Sequence, residues 1–218
     1  MDPVVLDLPF RGIWRAEMSP ARRVPSHGTD LFGVTYAIDF VGVDERERSA
    51  PGNWRAWLSV EQPQTFVGFG RAILAPVTGT VVAVHDGEPD HVGRRSQLAL
   101  VPYALGQAAR VRAGIDAIAG NHVVLAMGSS GPFVALVHLR RDSTRVTAGD
   151  VVSVGDQLAE CGNSGNSTEP CVHVQVTDSL DWSSAKGLPM AFRSYRSRRT
   201  GAIVSRGMPQ ESEIIETL

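Results

Sequence analysis

"NSTEPCVHVQV", residues 166–176, is the stretch on which the fold turns. Its last six residues alternate in character. Side chains of a β-strand repeat with period two, so Val172, Val174 and Val176 share one face. Cys171, His173 and Gln175 share the other. The valines suit a core, and the cysteine, imidazole and amide suit a groove. A Gly-Asn-Ser-Gly-Asn-Ser turn, residues 162–167, leads into the strand and brings backbone polar groups towards the same groove. Two questions follow: whether His173 is a metal ligand, and what Cys171 does beside it.

The rest of the chain repeats this texture. "VVLDLPF", "TYAIDFVGV", "GTVVAVHDG", "NHVVLAM" and "FVALVHL" are short, β-branched and bounded by Gly or Asp. They predict a mainly β chain: one antiparallel sheet or sandwich-like domain with a substrate groove and long inserted loops. "VTAGDVVSVGDQLAECGNSG" carries two Gly-Asp pairs around "VVSV" and predicts a tight, hairpin-like crossover. Residues 44–68 and 94–120 break the pattern and are expected to wall the groove, with short helices in the Ala-rich part of the second. Trp54, Trp57 and Tyr103 would line it or pack on the sheet. The expected division is a lead-in over 1–24 with one strand, a main domain over 25–195 and a charged, solvated tail over 196–218.

With 43% hydrophobic residues in 218, the chain can bury a substantial core without disulfides. The formal charge of -2 leaves no electrostatic footprint for nucleic acid. No apolar run reaches the length of a membrane span. The opening residues lack an apolar signal-like run, which reads as cytoplasmic by default, or as exported by another route or from a trimmed precursor. Two cysteines, Cys161 and Cys171, do not make a disulfide framework. Lys186 is the single lysine and lies in no hairpin tip, which speaks against a lipoyl-type carrier despite the strand pair in "APVTGTVVAV".

Each of the six histidines has a plain structural reading. His85 and His91 flank the turn "HDGEPDH" and are expected to face solvent. His122 follows a Gly-Asn turn and is expected to be structural. His138 ends an apolar strand, where a side chain reaches a cleft. His27 stands in the turn-like "PSHGTD". Asp39, between Ile38 and Phe40, needs a partner if buried, either a divalent metal or an arginine.

The ordered set His27, Asp39, His138, His173 resembles the lysostaphin-type zinc endopeptidases, which cut peptidoglycan peptides. The resemblance runs over roughly residues 25–195 and is densest over 120–177. There "GNHVVL", "FVALVHL", the Gly-Asp turns, the Gly-x-Ser-Gly-x-Ser loop and "VHVQV" follow the family's order. It implies His27, Asp39 and His173 as ligands of one Zn2+ per chain and His138 as a catalytic-site histidine. It also implies a peptidoglycan peptide as substrate, with a monomer as the default. Two departures stand out. The first His of the family's His-x-His is Cys171 here. Where many members have His-x-x-x-Asp, position 31 is Leu, and the acid comes later in "YAIDF"; Asp30 is a weaker alternative ligand. Cys171 has three expected fates: a bystander to a site working through His138, a fourth zinc ligand, or a disulfide partner of Cys161. The corresponding functions are an active metalloendopeptidase or an impaired member serving as a wall-binding or regulatory module. A small β carrier or carbohydrate-binding domain with incidental histidines is the reading without the resemblance.

Overall fold

The structure is a computed structural model and describes residues 2–52, 60–95, 112 and 114–218. Its strands are β1 (Val4–Leu6), β2 (Ile13–Glu17), β3 (Ile38–Gly42), β4 (Ala72–Leu74), β5 (Gly79–His85), β6 (Asn121–Ala126) and β7 (Phe133–Leu139). They continue with β8 (Val151–Val152), β9 (Gln157–Glu160), β10 (Cys171–Thr177), β11 (Met190–Ser197), β12 (Ile203–Gly207) and β13 (Ile214–Thr217). One short helix, α1 (Ile115–Ala119), and a 3-10 segment, Leu31–Tyr36, also bear on the site. Among the described residues the large sheet has the order β1-β11-β13-β2-β3-β10-β7-β6-β5-β8, with β12 on the outside of β11. The β4–β9 pair forms a second sheet. All pairings are antiparallel except β1 with β11, so the large sheet is mixed.

The alternation read in the sequence holds. Val172, Val174 and Val176 are buried in the main core with Ile38, Phe40, Leu136, Ile73 and Leu158. The second sheet therefore packs on the face of the large sheet away from His173. Phe40 is fully buried, edge-on to Phe10 at 4.9 Å and to Phe192 at 5.3 Å. Such aromatic pairs contribute about 0.5–1.5 kcal/mol each beyond area burial. They anchor β3 one residue from Asp39, which points to the opposite face.

Three expectations change. The Gly-Asp segment is a crossover but not a hairpin: β8 pairs with β5 in the large sheet, while β9 pairs with β4 in the small one. Asp150 and Asp156 close its two turns by accepting from the backbone N–H of Thr147 and Ser153, at 2.8 Å each. Residues 196–218 are not a solvated tail. β13 inserts between β11 and β2, and Ile215 is fully buried. Their charge belongs to the solvated side of the strands; Arg198, for example, pairs with Glu45 at 3.0 Å. Nor is 1–24 a separate lead-in with one strand, because β2 runs between β13 and β3 without a break in the sheet. Of the expected groove walls, Trp54, Trp57 and Tyr103 lie outside the described residues.

Candidate metal centre

The register sets the site. Glu17 on β2 is paired with Asp39 on β3, Asp39 with His173 on β10, and His173 with Val137 on β7. This row crosses four strands on the groove face. His27 arrives from the turn before the 3-10 segment. That segment lies on β10 because Gly33 takes a left-handed φ of 74°, and a Cβ there would come within 2.6 Å of Thr177 Cγ2.

Three side chains converge. Asp39 Oδ1 lies 2.8 Å from His173 Nδ1, and Asp39 Oδ2 lies 3.4 Å from His27 Nε2. The two rings meet edge-to-face, 4.9 Å between centroids. One ligand atom from each of His27, Asp39 and His173 falls within 4.8 Å of the others, the single such group among the described residues. The ion-pair partners of Asp39 there are these two imidazoles, not an arginine. Two nitrogens and an oxygen at this spacing, with a side left open to a cavity, are the donor types of a catalytic zinc site. Asp30 stands apart: it is exposed and accepts from Thr35 Oγ1 at 2.9 Å.

Charge follows the same geometry. Burial alone would raise the Asp39 pKa, but the charge of His27 and the hydrogen bonds and charge of His173 hold it far below the usual carboxylate range. Burial opposes a charged His173, and its contacts with Asp39 and Gln175 overrule that and raise its pKa. Burial, followed by the charge of His173, lowers His138 to about 4. His138 is therefore a neutral base at ordinary pH. Its Nδ1–H donates to the Ser164 carbonyl at 2.9 Å, so the lone pair sits on Nε2.

His138 reaches the groove by an irregularity. Strict alternation would send it to the core side, since Val137 lines the cavity and Leu136 is core. Between the pairs Asn121–Leu139 and Val123–Leu136, β7 carries one residue more than β6. His138 takes a φ of 65°, and both Val137 and His138 then face the cavity. Its ring lies 5.8 Å from that of His173.

Cys171 is on the groove face but outside the converging group. Its Sγ is 3.3 Å from Ser167 Oγ, and it is a free thiol, as is buried Cys161. Burial, with Asp39 nearby, raises the Cys171 pKa well above the ordinary thiol value. The two cysteines are thus not bridged, and Cys171 Sγ is not among the ligand atoms that lie within 4.8 Å of one another. His122 is buried. His85 and His91 are only partly exposed, because His85 stacks on His122 at 5.4 Å and His91 packs beside the 162–165 turn.

His27, Asp39, His138, Cys171 and His173 all line one cavity of about 400 Å3. Its lining includes the apolar Leu31, Phe32, Ile115, Ile118 and Trp182 and the acidic Glu17 and Glu169. The sequence reading missed Trp182, Glu17 and Glu169. For Glu17 a signal existed, since "IWRAE" alternates and ends on the groove face.

The comparisons with known proteins agree with the resemblance. The model described as peptidase family M23 matches residues 101–185. Solved structures similar to this chain include a prophage-encoded M23 protein of Enterococcus faecalis, with 17% identity over 70% of this chain and 73% of that one, at a TM-score of 0.40. The catalytic domain of lysostaphin from Staphylococcus simulans has 18% identity over 70% and 74%, at 0.39. The deep-sea M23 metalloprotease pseudoalterin has 15% identity over 86% and 76%, at 0.43. The matched residues, 101–185, hold His138, Cys171 and His173, and over that stretch the chain is similar to peptidase family M23.

Proposed function

We propose that the chain is a zinc-dependent endopeptidase acting on peptidoglycan cross-link peptides, with His27, Asp39 and His173 holding the ion. The observation that carries this reading is the convergence of one ligand atom each from His27, Asp39 and His173 within 4.8 Å, in a cavity that His138 also lines. Bound there, zinc would supply a Lewis acid and a water of lowered pKa. The remaining work falls to the chain. The cavity, lined by both apolar and acidic side chains, would take an extended peptide. Val137 and Val41 floor it without competing for the ion. His138, neutral and with Nδ1–H fixed on Ser164, offers Nε2 to accept a proton and return it to the leaving amine.

A second reading has its own observation. At position 171 the family's imidazole is replaced by a protonated thiol turned to Ser167, which neither donates strongly nor carries charge. An impaired, binding or regulatory member follows from that substitution. Two measurements separate the readings. About one tightly held zinc per purified chain is expected, and none ends the metal reading. Hydrolysis of cross-linked peptidoglycan, or of short Gly- and Ala-containing peptides, supports the enzyme; zinc without hydrolysis supports the impaired member.

A further inference from the structure

Both imidazoles of the converging group have their outer nitrogens tied to a hydrogen-bond acceptor. The Gln175 amide is oriented by its NH2, which donates to the Phe32 carbonyl at 3.0 Å. A flipped amide would set oxygen against oxygen. Gln175 Oε1 therefore faces His173 Nε2 at 3.0 Å, and that nitrogen must carry hydrogen. At His27 the same logic runs through a hydroxyl. With the one hydrogen of Ser26 Oγ on the Val34 carbonyl at 3.1 Å, a lone pair of that oxygen faces His27 Nδ1 at 3.0 Å and accepts from its N–H. In each neutral ring the lone pair then falls on the inner nitrogen, His173 Nδ1 or His27 Nε2, the two that face Asp39.

We propose that Ser26 and Gln175 are positioning residues that fix the tautomers of His27 and His173, so that three acceptors point at one another and only a cation can reconcile them. This rests on the metallopeptidase reading for the identity of that cation. Both anchors end on one piece of backbone. Phe32 and Val34 belong to the 3-10 segment Leu31–Tyr36, which lies between His27 and Asp39 in the sequence and whose Leu31 and Phe32 wall the cavity. Phe32 itself takes a left-handed φ of 59°. The longer His-to-Asp spacing of this chain thus supplies the two carbonyls that set the tautomers of both imidazoles.

The test uses the full chain and zinc alone. In competition with a chromophoric chelator, Gln175→Leu and Ser26→Ala are each expected to bind zinc about 10–100-fold more weakly than wild type. Gln175→Glu keeps an acceptor for His173 Nε2–H but sets an oxygen against the Phe32 carbonyl, so it should lose clearly less zinc affinity than Gln175→Leu, which a merely structural role for Gln175 would not produce. Equal losses in Gln175→Leu and Gln175→Glu, or no loss in Gln175→Leu and Ser26→Ala, overturn the proposal. A second arm needs no metal. In zinc-free protein labelled with 15N-histidine, His173 Nε2 and His27 Nδ1 should both carry hydrogen; a bare nitrogen at either position overturns it. If wild type takes up no zinc, the metallopeptidase reading fails, while the nitrogen assignments still decide the tautomers.

Discussion

The molecule holds two histidine clusters on its large sheet, and they behave differently. His27 and His173 close on Asp39 in the groove. His85 and His122 face each other across β5 and β6, with Glu88 and Asp116 nearby. Both clusters have two imidazoles and carboxylates. In the second, the rings stack at 15° and 5.4 Å, the carboxylates stand 3.4 and 4.0 Å from His85, and His122 Nδ1–H donates to the Gly120 carbonyl. No three ligand atoms there close up as they do in the groove, among the described residues. What separates the two clusters is the convergence of their ligand atoms, not the residue inventory.

The largest effect that could break this contrast is on metal content. His173→Ala and Asp39→Ala should bring zinc from about one per chain to background by elemental analysis, since each removes one of three ligands. Zinc retained in either variant would remove the distinction between the clusters. Next comes Cys171→His. If the missing imidazole limits turnover, peptide hydrolysis should rise roughly 10²–10⁴-fold, the usual value of acid–base help. No gain would point to another defect in the groove.

A pH series sharpens the contrast further. In zinc-free protein, His138 titrates at about 4 when folded and near 6.5 when unfolded. The unfolded chain binds more protons between those values, so stability is present above 6.5 and lost as pH falls towards 4, by up to roughly 3 kcal/mol. His122, also lowered by burial, has the same sign. His173 is raised, so its contribution is present below 6.5 and lost as pH rises through its folded value. Urea unfolding of His138→Gln should show a flatter slope below pH 6.5 than wild type. The smallest effect belongs to the second cluster: His122→Ala should leave zinc content unchanged and cost about 1–3 kcal/mol of stability through its lost buried contacts.

Legibility in the sequence followed the physics of each element. The runs at 121–126, 133–139 and 171–177 are buried along their whole length, and their β-branched texture was plain. His27, Asp39 and His173 were grouped from the sequence by the resemblance of their order, and the fold brings the three side chains together. His138 was legible as a cleft residue only from its place at a strand end; the extra residue of β7 that turns it is a register property invisible to alternation. β12 and β13 were missed because their solvated faces put arginines and glutamates where a core strand shows valine. Ser26 had no signal at all, since its role lies in a backbone carbonyl eight residues on.

The position of β13 has a further consequence. β2, whose Glu17 sits beside Asp39, has its other edge covered by residues 214–217. During synthesis that edge stays bare until residues 214–217 have emerged, and closing so distant a pairing is slow. A ribosome-bound intermediate would therefore display an unpaired strand next to the nascent groove, open to self-association, and the peptidase centre would mature only after that late strand zips in.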